Sequence, residues 1–248
     1  NWGPKLFVTS ASKGGGIRTL LCLDKETGKT LWRRDVATDQ KEALHKMNSW
    51  ATPSPVTDGE RVVAFFGPAG IHCFDMEGKK QWSKDLGEFP GNWGLAASPV
   101  IEGDQLIQNC DATGPSRLVS LNKKTGRLLW ETKRDDKPRG GWSTPIMIKT
   151  KKGAQLVLNG EFGAKGYDPF KGNELWFCKS FNGRGSPVPF HAHGLVYVVN
   201  GKPGDLYVIN PNGAKGNVTE THMAWHAKRN GGRDLPAPAV VGDHVLVT

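Results

Sequence analysis

Short apolar runs, each closed off by glycine, proline, asparagine or an acidic residue, recur along the whole chain. Examples are Arg61-Val62-Val63-Ala64-Phe65-Phe66, Gln105-Leu106-Ile107, Gln155-Leu156-Val157-Leu158, Leu195-Val196-Tyr197-Val198-Val199 and His244-Val245-Leu246-Val247. They are too short for helices and are rich in β-branched and aromatic residues, so they predict strands. Ahead of each lies a proline-centred segment: Ser54-Pro55-Val56, Ser98-Pro99-Val100, Thr144-Pro145-Ile146, Ser186-Pro187-Val188 and Ala237-Pro238-Ala239. Only the stretch near Gln40 to Met47 suggests a short helical turn. The pattern predicts an all-β chain.

A longer phrase repeats in phase with these runs. Asp24-Lys25-Glu26-Thr27-Gly28-Lys29-Thr30-Leu31-Trp32 returns as Asn122-Lys123-Lys124-Thr125-Gly126-Arg127-Leu128-Leu129-Trp130. Weaker copies run from Asp168 through Gly172 to Trp176 and, one residue shorter, from Asp75 through Gly78 to Trp82. The four tryptophans are 50, 48 and 46 residues apart, a spacing that marks a repeat architecture. Within one period we expect four strands; in the second they fall near 51–56, 61–66, 70–75 and 80–84. The Asp-x-x-Thr-Gly step is a hairpin signal, because Asp bonds its own downstream backbone and Gly28, Gly78, Gly126 and Gly172 can take positive φ. Trp32, Trp82, Trp130 and Trp176 are expected to fill the space between neighbouring repeats, a structural role.

This phrase resembles the tryptophan-docking repeat of pyrroloquinoline-quinone (PQQ) type β-propellers, in which four-stranded antiparallel blades stand around a central channel. The resemblance spans four periods, and a degenerate fifth follows at Val208-Ile209-Asn210-Pro211-Asn212-Gly213, with Trp225 displaced by an insertion. Quinoprotein dehydrogenases and the propeller lipoprotein of outer-membrane barrel assembly share the repeat, so it speaks for fold more than for chemistry. The family pattern takes a small residue two before the Asp, here Cys22, Cys73, Ser120, Gly166 and Val208. Cys22 and Cys73 therefore read as small buried residues under a docked tryptophan. No Cys-x-x-Cys pair or adjacent cysteine pair occurs among the four cysteines.

We expect one propeller domain over 1–248, with repeats at 1–49, 50–93, 94–141, 142–183 and 184–235 and the start of another blade at 236–248. Trp2 to Thr9 aligns with Val241 to Thr248, so the chain starts and stops at the same phase. That phase suggests part of a seven- or eight-bladed propeller, a closed five-bladed ring being the alternative. The 248 residues carry 32 glycines and 16 prolines, which suit many turns, and no apolar run long enough to span a membrane. No signal peptide is visible; a periplasmic or secreted location is what the family resemblance implies. The formal charge of +9 is spread over turn pairs such as Lys79-Lys80, Lys123-Lys124 and Lys151-Lys152. Such a surface leaves room for an anionic ligand, while the lack of a dense basic stripe or a recognised module argues against nucleic acid.

Loops entering the first strand of each blade gather on one face of a propeller, and here they carry the candidate ligand or partner residues. These are His45, Asn48 and Trp50; Asn92 and Trp93; Arg139 and Trp142; Asn182 and Arg184; and Arg229, Asn230, Arg233 and Asp234. Amide, aromatic and guanidinium groups converging from several blades suit a polar planar or anionic ligand. Quinoprotein dehydrogenases hold Ca²⁺ through carboxylate and amide oxygens beside a quinone and use an Asp as base. Acids at these loops are few, Asp234 being the main exception, with Asp39, Glu42 and Glu88 nearby in sequence, and no catalytic residue or metal site can be assigned. His191-Ala192-His193 has the look of a metal pair but precedes Gly194 in an expected hairpin turn, with no third ligand in view. The expectation is a non-enzymatic binding or scaffold propeller with a protein or cell-envelope partner and no cofactor. The alternatives are a PQQ- and Ca-dependent dehydrogenase, or a glycan or small-ligand binder.

Overall fold

The computed structural model describes residues 1–40, 42–46, 48–134, 138–180, 185–200, 204–229 and 236–247. Its strands assemble into consecutive antiparallel sheets, one per sequence repeat. Blade one contains β1 (Lys5–Ala11), β2 (Ile17–Asp24) and β3 (Thr30–Ala37). In blade two, β4 (Val56–Thr57), β5 (Arg61–Phe65), β6 (Ile71–Asp75) and β7 (Lys80–Lys84) lie side by side in chain order. Blade three repeats this with β8 (Val100–Glu102), β9 (Gln105–Asn109), β10 (Ser116–Asn122) and β11 (Leu128–Arg134). Blade four is β12 (Ile146–Thr150), β13 (Gly153–Gly160), β14 (Gly163–Tyr167) and β15 (Glu174–Lys179). Blade five opens with β16 (Phe190–Ala192), β17 (Leu195–Asn200) and β18 (Asp205–Ile209). Next in the chain come β19 (Gly216–Asn217), a single helical turn α1 (Thr219–His222), and β20 (Met223–Ala227), which completes blade five. The hairpin of β21 (Ala239–Val241) and β22 (His244–Leu246) follows.

The second strands of blades two to five carry apolar residues on both faces because both faces are buried between blades. Successive residues of a strand point to opposite faces, so Val62 and Ala64 pack toward blade one with Phe7, Leu20 and Cys22, whereas Val63 and Phe65 pack toward blade three with Leu106, Val119 and Leu121. The alternation continues outward: Ile107 joins Leu156 and Leu158, while Val157 joins Val196 and Val198. The core is thus a series of slabs, each shared by two neighbouring repeats, as expected of units that bury apolar surface only by stacking.

In the first four blades the hairpin between the third and fourth strands is closed by an Asp or Asn side chain that accepts from amides of the turn. The Asp24 carboxylate accepts hydrogen bonds from the Thr27 amide at 2.8 Å and the Thr27 hydroxyl at 2.7 Å. Asn122 does the same for Thr125, at 3.0 and 3.2 Å. Gly28, Gly78, Gly126 and Gly172 take φ of 70°, 80°, 70° and 76°, the region where only glycine is unstrained. The small residue two before the Asp is the cross-strand partner of the tryptophan in every blade: Cys22 with Trp32, Cys73 with Trp82, Ser120 with Trp130, Gly166 with Trp176 and Val208 with Trp225. The indole then crosses to the next blade. Trp32 donates to the Met76 carbonyl at 3.0 Å, Trp82 to Lys123 at 3.0 Å and Trp130 to Pro169 at 3.1 Å.

Three details depart from the sequence reading. The first strand of blade two is Val56–Thr57 rather than a run from 51, because Pro53 and Pro55 lack the amide that a ladder needs. The described residues between Gln40 and Met47 form no helix. The Trp176 indole donates to Gln155 within its own blade at 2.9 Å, whereas Trp130 shares its N–H between Gln105 of its own blade and Pro169 of the next. The fifth-repeat insertion returns to that blade, where β19 pairs in parallel with β15 and Val218 is buried beside Trp176.

Candidate functional site

In a four-stranded antiparallel blade, the loop from strand two to strand three and the linker to the next blade emerge at the same end. The candidate loops therefore share one face with the turns at Gly67–Ala69 and Ala112–Pro115. The linkers entering blades two, three and four touch one another there. The Asn48 side-chain amide donates to the Trp93 carbonyl at 2.7 Å, and the His45 ring stacks on Trp93 with centroids 4.9 Å apart. Trp142 donates its indole N–H to the Gly94 carbonyl at 3.0 Å, while the amides of Ala96 and Ala97 both donate to Gly141 at 3.1 Å. Arg139 donates from its backbone and its side chain to the two carboxylate oxygens of Glu161, at 2.7 and 2.6 Å. Asn92 is exposed beside Trp93. Asn48, Trp50, Trp93, Arg139 and Trp142 are thus brought together, largely by bonds among the loops themselves.

Charge at this face is held in pairs. Arg134 donates to Asp111 at 2.7 Å, with both side chains 2% exposed, and a second guanidinium nitrogen bonds the Tyr167 hydroxyl. Arg18, wholly buried, bonds the Gly15 carbonyl and lies 5.5 Å from the Trp50 ring centre. Its Nη2 is 3.9 Å from Glu42 Oε1, too long for a hydrogen bond. Burial pushes the Glu42 carboxyl up to about 7 despite the attraction of Arg18, and burial likewise lowers the Arg18 pKa. Desolvation outweighs pairing on both partners, a common result for buried ions with imperfect geometry. On blade five, Arg229 belongs to a separate group: its amide donates to Asp205 at 2.9 Å, and the His226 ring lies 3.0 Å from the same carboxylate.

The second strands also carry a ladder of buried amides that the repeat pattern does not mark. Asn109, Asn159 and Asn200 stand at or near the ends of the second strands of blades three, four and five. Asn109 donates to the Ser143 carbonyl at 3.1 Å, and Asn159 to Pro187 at 3.1 Å and Val199 at 3.0 Å. Asn200 donates to Asn159 Oδ1 at 2.9 Å. The bonds to Ser143 and Pro187 satisfy carbonyls of the incoming linkers, and those to Val199 and Asn159 tie the second strands of blades four and five together. The signal was an asparagine closing three successive apolar runs.

The remaining candidates fall elsewhere. Asn182, Arg184, Asn230, Arg233 and Asp234 lie outside the described residues. His193 has φ of 52° in the hairpin turn and its Nε2 is 3.0 Å from the Gly242 carbonyl, which fits a turn residue. Among the described residues, no three His, Cys, Asp or Glu side chains converge as a metal site would require. Asp111 and Glu161 are engaged by arginines, so the described residues do not supply the hard-oxygen set that a calcium-bound quinone needs. Cys22, Cys73, Cys110 and Cys178 are all buried and unbridged, and burial raises each thiol, that of Cys73 to about 12.

Comparison with known proteins agrees with this architecture. The chain is 30% identical over 143 residues to the quinoprotein alcohol dehydrogenase PedH of Pseudomonas putida, a match covering 52% of this chain and 24% of that protein. Among solved structures, BamB from Moraxella catarrhalis superimposes with a TM-score of 0.61 at 18% identity, over 98% of this chain and 63% of that one. The quinohemoprotein alcohol dehydrogenase of Comamonas testosteroni gives 0.62 at 11% identity, over 92% of this chain and 43% of that one. The chain therefore spans about a quarter of the curated relative and under two thirds of these two structures. A family model described as outer membrane protein assembly factor BamB matches residues 3–144, more than half of the chain. The chain belongs to this PQQ-like propeller repeat family.

Proposed function

We propose that this propeller is a non-enzymatic binding or scaffold module that presents its linker face to a protein or cell-envelope partner. The observation that carries this reading is the mutual bonding of the linkers through Asn48, Trp93, Gly94, Gly141 and Trp142. Loops fixed in this way offer a preformed surface, and little ordering entropy is lost when a partner binds one. The aromatic and arginine side chains there, including Trp93 at 38% exposure and the half-exposed Arg139, are the types that anchor protein interfaces. BamB resemblance points to the periplasm or envelope as the location, and no described helix is long and apolar enough to cross a membrane. The single-domain organisation over 1–248 belongs to the same proposal.

A photo-crosslinker at Asn92, exposed on the linker face, should give a discrete adduct in cells, while one at Lys29 on the opposite face should not. Equal labelling from both positions, or none from Asn92, would overturn the reading. The second reading is a dehydrogenase, favoured by the 30% identity to the quinoprotein PedH. Calorimetric titration with PQQ plus Ca²⁺ separates the two. Saturable one-to-one binding supports the enzyme; a flat titration of folded protein supports the module.

A further inference from the structure

A pocket of about 220 Å³ opens on the linker face, between the linkers flanking blade two and its Gly67–Ala69 turn. Its wall is made by Pro68, Phe89 and Pro90, with Gln40, Glu42 and Glu88 contributing polar atoms. Glu42 is the unusual member. Its side chain is 6% exposed, Oε1 faces Arg18 at 3.9 Å, and Oε2 has no hydrogen-bond partner among the described residues. A Cβ placed on Gly67 would lie 3.2 Å from that oxygen and 3.1 Å from Leu95, so the oxygen is enclosed by the chain, and it is the missing side chain of Gly67 that leaves space beside it. A buried carboxylate oxygen without a donor is costly, and a ligand that supplies the donor recovers that cost.

The geometry points to a binding site for a protonated primary amine or guanidinium group carried on a short aliphatic stem, with the cation on Glu42 Oε2. Glu88 at the rim adds a second negative charge, and the Gln40 side-chain oxygen can accept a further hydrogen bond. The rings of Pro68, Phe89 and Pro90 give an alkyl stem an apolar lining, which a bare metal ion would not use. A hard cation such as Ca²⁺ wants six to eight oxygens, more than the two carboxylates and one amide on these walls can give. The carboxylate would then sit between two cations, Arg18 on Oε1 and the ligand on Oε2, which offsets the poor pairing on the Arg18 side. This site does not depend on the partner reading, because a free amine and a lysine side chain present the same group.

The test follows backbone amide shifts of the ¹⁵N-labelled protein during titration with n-butylammonium chloride against sodium chloride at matched ionic strength. Saturable shifts at the Gly67 and Gly91 amides are expected with the amine only. Glu42→Gln should weaken binding more than tenfold and Glu88→Gln, at an exposed position, several-fold. Nα-acetyl-lysinamide in place of butylammonium identifies the source: tighter binding means a side chain, equal binding a free amine. Identical shifts in both salts, unchanged affinity in the folded Glu88→Gln protein, or stronger saturation by CaCl₂ at the same amides would overturn the assignment. A failed crosslink from Asn92 with saturable amine binding would sink the partner reading alone.

Discussion

Gly126 lies directly beneath the indole of Trp82, so close that a Cβ at this glycine would stand 2.7 Å from the ring. The two residues come from successive repeats, and the same relation joins Trp32 to Gly78 and Trp130 to Gly172. The hairpin glycine is therefore required twice, once for its positive φ and once as the floor on which the preceding blade's tryptophan rests.

These two demands can be separated. Gly28 has the same φ of 70° as Gly126, but a Cβ at Gly28 would meet no atom within 4 Å. Gly28→Ala should cost about 1–2 kcal/mol, the strain of a left-handed alanine. Gly126→Ala should cost about 1–3 kcal/mol more, from overpacking against Trp82. Urea denaturation of the two variants reads the difference directly, and equal costs would remove tryptophan docking as the reason for the glycine.

Trp130 is 8% exposed, and its N–H is shared between Gln105 at 3.0 Å and Pro169 at 3.1 Å. Trp130→Ala is expected to lower stability by about 3–5 kcal/mol through the cavity and the lost bond to the Pro169 carbonyl, Gln105 still accepting from the Ser120 hydroxyl at 2.7 Å. Trp225, at 44% exposure, should lose far less on the same truncation. Thermal unfolding of both variants checks the ranking.

Glu42 makes stability depend on pH in a definite direction. Its carboxyl is raised from 4.5 to about 7 by burial, so the folded state holds the proton more tightly than the unfolded chain does. That contribution is full below about 4.5 and is lost as pH rises through about 7. His72, lowered by burial, works in the opposite sense, losing stability as pH falls below 6.5. The wild type minus Glu42→Gln difference in denaturation midpoint should therefore change steadily between pH 4.5 and 7, and a constant difference would contradict the assignment.

The thiols should be inert in the folded protein. With Cys73 raised to about 12 and Cys22, Cys110 and Cys178 also buried and raised, thiolate is scarce at neutral pH and access is blocked. Reaction with Ellman's reagent is expected to proceed at the rate of unfolding and to release four equivalents in denaturant.

Where the sequence was legible, the determinants were local and repeated. Asp24, Gly28 and Trp32 sit within one hairpin, and four copies average out the noise in any one of them. That Cys22 lies under a docked tryptophan was implied by the family pattern, and the strand register pairs it with Trp32. Arg18 and Glu42 gave no such signal, since their approach depends on how one linker folds back over a neighbouring strand. Asn48, Trp93 and Trp142 were visible as candidates, but their bonding to the backbone of adjacent linkers is a property of blade-to-blade distance. The insertion before Trp225 could be seen as extra residues, although nothing in Gly216 or Asn217 marks a strand.

That short strand has a consequence for how the molecule comes apart. Outer strands of propeller blades expose unpaired amides and carbonyls, the kind of edge that recruits other chains. On β15 part of the edge is occupied from within: Trp176 and Phe177 pair with Gly216 and Asn217, the Val218 amide donates to Phe177 at 2.8 Å, and the Lys179 amide donates to Thr219 at 2.9 Å. Detaching this insertion of blade five bares that part of β15, so opening of blade five and exposure of the blade-four edge are linked. While the insertion stays in place, this stretch of β15 offers no free border to another chain.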